Sequence, residues 1–360
     1  MALHLAQIGA EHFRVFEKLS LRPHRRLNFV YGDNAAGKTS LLELVYVLSR
    51  GKSFRGSSLQ DCLGPASRQW RARARYAQDD APPTVVDARW QAGGLEQQHN
   101  GNEVSRVELL RGYPVQILEP GLHKLLQDGP SYRRSFLDWG VFHVEQRFHP
   151  AWRRFSRALR QRNLALRQRA PAAEIQPWSV ELAAAGEEIH GFRQEQLAAI
   201  RPRFGQLVEQ LLGTSAWTME LQAGWTHGQS LLASLDAHLP RDRQLGLTQD
   251  GPQRAELRLR LQERQTKSLI SRGQQKQLIA ALLISQCELV WKTTGIAPIL
   301  LVDDFASELG EEFQRRLLAV LLDYPGQLFL SSFERSGPLA ELKDGAVFHV
   351  EHGQVHPVSG

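Results

Sequence analysis

A glycine-rich octapeptide between a strand and a helix is the feature that most constrains this chain. Gly32-Asp33-Asn34-Ala35-Ala36-Gly37-Lys38-Thr39 fits the pattern G-x-x-x-x-G-K-[ST], in which backbone N–H groups turn inward around phosphates. An apolar strand over 27–31 precedes it, and apolar residues at helical spacing over 38–48 follow it. A strand, a phosphate loop and a helix in this order predict a P-loop nucleotide-binding fold of the α/β class.

The residue types in this loop suit a triphosphate. Glycines accept the backbone angles that a phosphate cradle needs, and the helix that begins near Lys38 adds the positive end of its dipole. Lys38 would neutralise charge on the β and γ phosphates and assist catalysis, and the Thr39 hydroxyl would ligate Mg²⁺. A tight strand-to-helix turn with nothing bound is the alternative. The candidate nucleotide-binding residues are Gly32, Asp33, Asn34, Ala35, Ala36, Gly37, Lys38 and Thr39.

A second polar cluster ends an apolar strand late in the chain. Residues 299–302 are Ile-Leu-Leu-Val, and Asp303 and Asp304 follow directly. Buried parallel strands deliver side chains to the carboxyl edge of their sheet, where open α/β sheets bind ligands. Asp303 is therefore a candidate to hold Mg²⁺ through water, and Asp304 is a candidate to polarise the attacking water. Aspartates that cap a helix or a turn are the alternative.

The segment Ser271-Arg272-Gly273-Gln274-Gln275-Lys276 is a third candidate site, and the sequence predicts a helix over 277–290 behind it. A small hydroxyl, a glycine and a glutamine at a helix N-terminus can form an anion site. One chain does not need two sites for the same γ-phosphate. We therefore expect this segment, with Ser271 taking part in catalysis, to touch the nucleotide of a second protomer. An N-cap with nothing bound is the alternative.

The order of elements predicts an α/β unit that is split by a long helical insertion. Two short strands joined near Gly9 begin the chain, further strands are predicted over 70–118, and helix-forming residues dominate from about 122 to 290. The predicted parts are the first part of the α/β lobe over 1–118, the helical lobe with the Ser271 helix over 119–292, and the second part of the α/β lobe over 293–360.

Several positions subdivide the insertion. Pro171 and Pro177 are predicted to separate two helices, and 213–228 is predicted to be a less regular interruption. Arg133 and Arg134 are expected to be structural and to pair with acids of the helical lobe such as Asp138.

Composition excludes several protein classes. Apolar residues make up 42% and charged residues 23%, as in globular proteins, and no run approaches the roughly 20 apolar residues that span a bilayer. The N-terminus lacks the basic and then apolar order of a signal peptide. The two cysteines, Cys62 and Cys287, lack metal-ligand spacing, which argues against a disulfide framework or a cysteine zinc site and favours a reducing cytoplasm.

Part of the positive charge behind the net charge of +6 is predicted to lie on one face of a helix. Between 152 and 169, helical spacing places four arginines on one side, away from an apolar side that packs inward. Four phosphate contacts would give a log–log salt slope of about −3.6 on duplex DNA. Because aromatic residues do not interleave with the basic ones, we expect contacts to the DNA backbone without sequence preference. A solvated stripe paired with local carboxylates is the alternative. The four residues are Arg153, Arg157, Arg160 and Arg167.

Taken together, the glycine-rich loop, the Ser271 segment and the acidic strand end resemble the ABC-type ATPase heads of the structural-maintenance-of-chromosomes class. Three further stretches, over 129–139, 159–167 and 303–309, resemble the RecF family of bacterial DNA replication and repair proteins. The likeness runs from about His12 to the C-terminal hairpin. It implies an α/β P-loop ATPase of ABC type, with a mixed sheet lobe and a large inserted helical lobe.

The resemblance also implies a function and partners. It implies an ATP-dependent homodimer that clamps single-stranded or duplex DNA, prefers gaps and strand junctions, and releases the DNA on hydrolysis. It implies slow, DNA-stimulated ATP hydrolysis with Mg²⁺ and action with the RecR and RecO mediators to place RecA recombinase at gaps. It further implies a role in the response to DNA damage, a cytoplasmic location at the nucleoid and no membrane partner.

Individual residues follow from the same resemblance. Ser271, Gly273 and Gln274 match the signature that contacts ATP across the dimer. Arg14, in the turn His12-Phe13-Arg14, matches more weakly a basic position near the nucleotide. Gln116, which is predicted to end the strand before the insertion, matches a metal-sensing glutamine.

The sequence departs from the family pattern at three places. Gly310 stands where an aspartate is usual, which puts in doubt a dimer contact of that carboxylate. Ser331 and Ser332 stand where transporter-type heads have a switch histidine. Asp304 replaces the longer glutamate of many ABC heads, and a shorter carboxylate reaches the water less well, so we expect slow hydrolysis.

Three other functions compete with the DNA clamp. An ABC transporter energy subunit would normally carry the switch histidine. A small-molecule P-loop kinase would need neither the Ser271 segment nor the long basic insertion. A non-catalytic ATP-binding scaffold is the third alternative.

Overall fold

A computed structural model describes residues 3–56, 58–79, 81–261, 264–265, 271–307 and 309–358. The chain forms two compact units. The first contains the described residues up to Leu122 and those from Arg272 onward, and the second spans His123–Ser271. The helical insertion therefore separates two stretches of one α/β unit, and the α/β fold class predicted from the sequence is confirmed.

The first unit contains an antiparallel sheet whose strands alternate buried and exposed residues. In Trp70–Gln78, the buried residues Trp70, Ala72, Ala74 and Tyr76 alternate with exposed arginines, which is the period of a strand with one solvated face. The strand order is β2-β1-β4-β5-β6-β7. The bounds are β1 (His4–Phe13), β2 (Phe16–Leu21), β4 (Trp70–Gln78), β5 (Ala81–Gln91), β6 (Gly94–His99) and β7 (Asn102–Glu103).

A second sheet in this unit is parallel except at one edge. Its central strands are short apolar runs, such as Ile299–Val302 with all four residues buried, because helices or the other sheet cover both faces. The order is β15-β14-β3-β13-β12-β8, and only the β14–β15 pair is antiparallel among the described strands. The bounds are β3 (Leu27–Tyr31), β8 (Val115–Leu118), β12 (Ile299–Val302), β13 (Leu328–Ser332), β14 (Ala346–Glu351) and β15 (Gln354–Val358).

One helix, α1 (Lys38–Arg50), packs between the two sheets. Its residues from Ser40 to Ser49 are all buried, since it contacts β1 and β4 of one sheet and β8 and β13 of the other. It therefore ties the phosphate loop at its N-terminus to the core of the unit. The other helices of the unit are α2 (Arg106–Gly112), α9 (Arg272–Thr294) and α10 (Glu311–Asp323).

A buried glutamine also joins the two sheets. Gln327, immediately before β13, accepts a hydrogen bond from the Leu5 amide and donates to the carbonyls of Leu5 and His24. The register of β1 shifts between Leu5 and Gln7, so the glutamine amide acts as the partner of the Leu5 backbone beside this irregularity.

The second unit is mainly helical. Its longest helix, α6 (Ala172–Leu212), has 41 residues and is about 60 Å long at 1.5 Å per residue. The core lies between α5, α6 and α7 and contains Phe155, Leu182, Ile189 and Leu231. The elements are α3 (His123–Gln127), α4 (Pro130–Val144), α5 (Phe148–Arg167), α6, α7 (Leu231–Ala237) and α8 (Leu239–Leu245), with a small sheet of β9 (Trp217–Gln222), β10 (Glu256–Leu261) and β11 (Arg264–Gln265).

Three arginines of this unit form ion pairs that are at least partly buried within it. Arg162 and Asp242 are both fully buried and lie 2.7 Å apart, and Arg162 also donates to Thr248 and Ser179. Arg193 pairs with Asp138, and Arg133 pairs with Glu256. Arg133 therefore pairs with an acid of the helical lobe, as predicted, and Asp138 is the partner of Arg193.

Some predicted boundaries were wrong. The first two strands meet at Arg14 and Val15, not near Gly9, which lies inside β1 opposite Ser20 and Arg73. Pro171 precedes α6 as predicted, whereas Pro177 lies inside that helix.

The insertion differs in two further respects. The strand β9 within 213–228 was not predicted, because it pairs with β10 across the intervening residues 223–255, so no local pattern marks it. Helix α9 begins at Arg272 and belongs to the α/β unit, whereas the predicted lobe boundary at 292 grouped it with the insertion. In the described residues, no helix is long and apolar enough to span a bilayer.

The buried ion pair yields a stability prediction. Asp242→Ala leaves the Arg162 guanidinium buried without its counter-ion, so we expect the free energy of unfolding to fall by about 3–5 kcal/mol. Arg154→Ala, on the same helix, removes exposed pairs with Glu181 and Glu188 and should cost about 0–1 kcal/mol. Urea unfolding followed by circular dichroism compares the two variants, and equal losses would contradict the prediction.

Candidate nucleotide site

The phosphate loop is shaped by two glycines that other residues could not replace. Gly32 has φ of 149°, and a Cβ there would lie 2.1 Å from the carbonyl oxygen of Val350. Gly37 has φ of 127°, and a Cβ there would lie 2.9 Å from Val15 Cγ2. The backbone of β14 and the β1–β2 turn therefore press against the loop and fix its curvature.

The backbone amides of the loop are available to an anion. Ala36 N donates to Asp33 O at 3.3 Å, but within the described chain the amides of 33–35 and 37–39 have no protein acceptor. Several adjacent N–H groups without acceptors at the start of a helix form an anion-binding cradle. The described loop residues thus fit a phosphate chain, as the sequence predicts.

Lys38 supplies the cation of this cradle. Its Nζ donates to the carbonyls of Gly32 at 2.6 Å and Asp33 at 2.8 Å, which curls the side chain over the loop. Burial lowers the pKa of Lys38, while Asp304, Asp303 and Asp33 oppose that shift. The ammonium therefore lies where phosphate oxygens would meet it.

Thr39 and Asp303 meet at the carboxyl edge of the parallel sheet. Thr39 Oγ1 lies 3.1 Å from Asp303 Oδ1 and 3.0 Å from Oδ2, and the Ser331 hydroxyl donates to Oδ1 at 2.6 Å. Burial raises the pKa of Asp303 against the lowering effect of the Ser331 and Thr39 hydrogen bonds. Because β3, β13 and β12 are neighbours in the sheet, their ends bring these three residues together.

These oxygens fit Mg²⁺. A hydroxyl and a carboxylate are hard ligands, and a cation between them would compensate the buried charge of Asp303. In the part of the chain that the structure describes, no group of three or more His, Cys, Asp or Glu side chains could enclose a metal. The Thr39 hydroxyl and the Asp303 carboxylate suit Mg²⁺, which is usually held by one or two protein oxygens together with substrate phosphates and water.

Asp304 follows with a strained backbone. Its φ is 52°, in the left-handed region that non-glycine residues rarely adopt, and its amide donates to Ser331 Oγ at 2.9 Å. Ser331 thus holds the carboxylate of Asp303 and the backbone of Asp304 at once. The strain is concentrated at the residue predicted to orient water.

Arg14 lies beside the loop, but its guanidinium is turned to a buried carboxylate. Its Nη2 and Nε donate to Glu43 at 2.7 and 2.8 Å, and Glu43 also accepts from Ser53 at 2.5 Å. The hydrogen bonds that Arg14 donates to Glu43 raise the pKa of Arg14. Glu43 lies one turn after Thr39 in α1, so Arg14 braces the loop helix, and a direct nucleotide contact stays a prediction.

Gln116 does not end its strand, contrary to the prediction. It is the second residue of β8, paired with Leu300 three positions before Asp303, and its buried amide lies 3.5 Å from Gln286 of α9. At about 3.3 Å per residue the strand carries Gln116 roughly 10 Å below the edge that holds Asp303. The structure therefore does not bring it to the metal ligands.

The Ser271 segment begins a helix as predicted, five residues earlier than the pattern indicated. Ser271 is exposed and directly precedes α9, Gly273 is buried, and Gln274 is half-buried. Their contact with a second protomer's nucleotide stays a prediction.

The four arginines of the basic face are exposed on α5. In the described residues, Arg153, Arg157 and Arg160 have no hydrogen-bond or ion-pair partner, whereas neighbouring Arg154 contacts two glutamates. Arg167 donates through Nε to Asn163 O in its own helix. The described carboxylates thus pair with a different arginine and leave this face uncompensated.

Comparison with known proteins places the chain in a family. The profile of the RecF/RecN/SMC N terminal domain matches residues 4–337. The DNA replication and repair protein RecF of Azotobacter vinelandii is 38% identical, with 98% of each chain covered, and that of Cellvibrio japonicus is 36% identical, with 98% of this chain and 99% of the relative covered. The chain belongs to the RecF family. The predicted resemblance is confirmed.

Solved structures agree with RecF membership at the level of the fold. A structure of the recombination mediator protein RecF with ATP in the RecFOR pathway has a TM-score of 0.87 at 23% identity, covering 99% of this chain and 98% of the other. The Smc head domain of Pyrococcus furiosus has a TM-score of 0.60 at 13% identity, covering 99% and 96%. The RecF-family chain thus has the fold of an ABC-type ATPase head.

Three residues of the RecF-family site escaped sequence reasoning. Ser331 was considered only as a replacement for a switch histidine, although it lies one residue before the end of β13, the strand next to β12. Glu43 and Lys276 sit within helices, where no local pattern distinguishes a buried ionisable residue from an exposed one. Glu308, part of the 303–309 stretch that supported the resemblance, lies outside the described residues.

The loop geometry yields a prediction for Gly32. Gly32→Ala places a methyl against the Val350 backbone at a φ that alanine avoids, so we expect destabilisation by about 1–3 kcal/mol and weaker ATP binding. Gly93→Ala, in the same unit, meets open space and should change neither. Thermal unfolding and fluorescent-ATP titration measure both effects, and an unchanged Gly32→Ala protein would contradict the account.

Proposed function

We propose that this chain is an ATP-dependent DNA-binding ATPase that works in recombinational repair and at replication forks. ATP joins two copies into a clamp on DNA, with a preference for gaps and strand junctions, and hydrolysis releases the DNA. The single observation that carries the ATPase part is the convergence of the Lys38 loop, Thr39, Asp303 and Ser331 at one sheet edge.

Each residue at this edge has a definite task. The loop amides and Lys38 bind the phosphates, while Thr39 and Asp303 hold Mg²⁺, which would neutralise charge on the β and γ phosphates when bound. Asp304 orients the attacking water and accepts its proton. Ser331 keeps both aspartates in place through its hydrogen bonds to the Asp303 carboxylate and the Asp304 amide.

Hydrolysis is proposed to be slow and to be stimulated by DNA. The Asp304 side chain is one methylene shorter than the glutamate of many ABC heads, and its backbone is fixed in the left-handed region. It therefore cannot approach the water by a simple backbone adjustment. DNA that steadies the closed dimer would increase the fraction of chains in which the site is complete.

The dimer follows from the exposed Ser271 and the helix tip behind it. Ser271, Gly273 and Gln274 at the start of α9 cap the nucleotide held by the partner's phosphate loop. Because each nucleotide then contacts both chains only in the closed state, ATP favours the dimer. A Cβ at Gly310 would meet open space. The chain therefore lacks the carboxylate that is usual at this position, and no neighbouring atom of the described chain occupies the space next to Gly310.

Sedimentation with a slowly hydrolysed ATP analogue tests the clamp. We expect the mass to double from 40.7 kDa for the wild type. Ser271→Arg should bind the analogue and stay monomeric because its bulk blocks the partner's site, while Lys38→Ala should neither bind nor dimerise. If the mass of the wild type is the same with and without the analogue, the clamp proposal is wrong.

DNA binding is proposed to use the exposed arginines of α5. Arg153, Arg157 and Arg160 point away from the core, and Arg167 extends the same face toward the end of the helix. Guanidinium groups on one helix face can contact successive backbone phosphates, which gives binding to single-stranded or duplex DNA without sequence preference.

A salt titration tests this surface. Replacing Arg153, Arg157 and Arg160 by alanine should weaken binding to duplex DNA and reduce the log–log salt slope by about 2.7, while ATP hydrolysis without DNA is retained. Arg154→Ala is the matched control, because its charge is already paired with Glu181 and Glu188. Fluorescence anisotropy at several salt concentrations measures this slope. An unchanged slope in the triple variant would show that these arginines are solvated and do not contact DNA.

The partners are proposed from family membership. The RecR and RecO mediators and RecA recombinase would act with the clamp at gaps, in the cytoplasm at the nucleoid and in the response to DNA damage. The relatives do not favour a transporter energy subunit, since those reported above are named as DNA replication and repair proteins.

A further inference from the structure

A buried lysine in the second turn of α9 has surroundings that nucleotide binding alone does not explain. Lys276 Nζ donates to the carbonyls of Asp304 at 2.8 Å, Phe305 at 3.0 Å and Ser307 at 3.1 Å. An ammonium has three N–H donors, so three carbonyls match its capacity. The residue is 8% exposed, and removal of an ammonium from water is costly without such acceptors.

The three carbonyls belong to the turn that carries the site carboxylates out of β12. From the other side, Ser331 holds this turn: its hydroxyl accepts from the Asp304 amide, and its carbonyl accepts from the Phe305 amide at 2.8 Å. The turn is therefore hydrogen-bonded to Lys276 of helix α9 on one side and to Ser331 of strand β13 on the other. The left-handed backbone of Asp304 persists only while its surroundings enforce it.

Lys276 is also close to the signature residues of its own helix. It lies three residues after Gly273, so the two share a face of α9. From Gln275 to Glu288 the helix is buried at every residue, and a helix packed in this way moves as a unit. A displacement of its exposed tip therefore reaches Lys276.

We propose that Lys276 is a positioning residue that sets the orientation of Asp304 according to the position of the α9 tip. The inference rests on the proposed function, because the tip is taken to cap the nucleotide of the partner chain. In each chain, the orientation of Asp304 then depends on whether the partner's site holds a nucleotide. The consequence is that each site is competent to hydrolyse only while the site of its partner holds a nucleotide.

Removal of the three donors tests the role. Lys276→Met keeps the length of the side chain, so we expect ATP affinity and analogue-induced dimerisation within about twofold of wild type. Hydrolysis should fall about 10–100-fold, because a displacement near 1 Å at a reacting group has that effect. Lys276→Arg keeps the cation and should recover part of the loss, and Lys292→Met, exposed on the same helix, is the control.

Mixed dimers test the direction of the coupling. When one chain carries Lys276→Met together with Asp304→Asn and the other is wild type, one intact site remains, and about half of the activity should persist. When Lys276→Met and Asp304→Asn are on different chains, both sites are damaged and the activity should nearly vanish. Equal activities of the two mixtures would overturn the proposal.

Hydrogen exchange separates this inference from the clamp itself. In the nucleotide-free chain, Lys276→Met should speed amide exchange at Phe305, which donates to the Ser331 carbonyl, and at Ser307, which donates to the Asp304 carbonyl, and leave the amides of β13 unchanged. If the wild type does not dimerise with ATP, the clamp is wrong, and the exchange still decides whether Lys276 holds the turn. Unchanged exchange together with wild-type hydrolysis would overturn the role of Lys276.

A milder variant keeps the test decisive if Lys276→Met unfolds. Lys276→Gln retains two amide donors but loses the charge, so its hydrolysis should lie between those of Lys276→Met and Lys276→Arg. A Lys276→Gln protein with normal melting temperature, exchange and turnover would contradict the proposal.

Discussion

The contact between the Thr39 hydroxyl and the Asp303 carboxylate joins residues 264 positions apart, and the nucleotide site depends on it. Thr39 lies in the first turn of the helix after β3, and Asp303 directly follows β12, while the intervening chain leaves the sheet after β8 and forms the whole helical unit. The parallel pairing of β12 with both β8 and β13 returns the chain to the same edge. The insertion can therefore be long without disturbing the site, because loop-closure entropy grows slowly with length.

Local elements could be predicted from the sequence, and their long-range partners could not. The strand over 27–31, the loop and α1 were confirmed, because apolar spacing and glycine positions act within a few residues. The role of Ser331 depends on the strand order β3-β13-β12, which no local pattern contains. The register of β8 likewise places Gln116 away from Thr39 and Asp303, since a shift of three residues along a strand moves a side chain away from the edge of the sheet where these residues lie.

The arginines of α5 also show that a local pattern does not predict long-range partners, in this case the partners of ion pairs. Arg160 and Arg162 are two positions apart, which places them on nearly opposite sides of a helix. Arg160 is exposed, whereas Arg162 is fully buried against Asp242, which lies 80 residues further along the chain. Periodicity identified the exposed face correctly, but only the fold could show that another arginine of the same helix serves stability and that the acids near the stripe pair with Arg154.

Both native thiols are shielded from reagents. Cys62 and Cys287 are free and fully buried, and burial raises the pKa of Cys62 to about 12 and that of Cys287 further. The thiolate, which is the form that reacts, is therefore scarce at neutral pH in either residue. A fluorophore attached to one cysteine introduced on the surface would consequently give a signal with little background, and the chain can be labelled for single-molecule observation without first removing its natural cysteines.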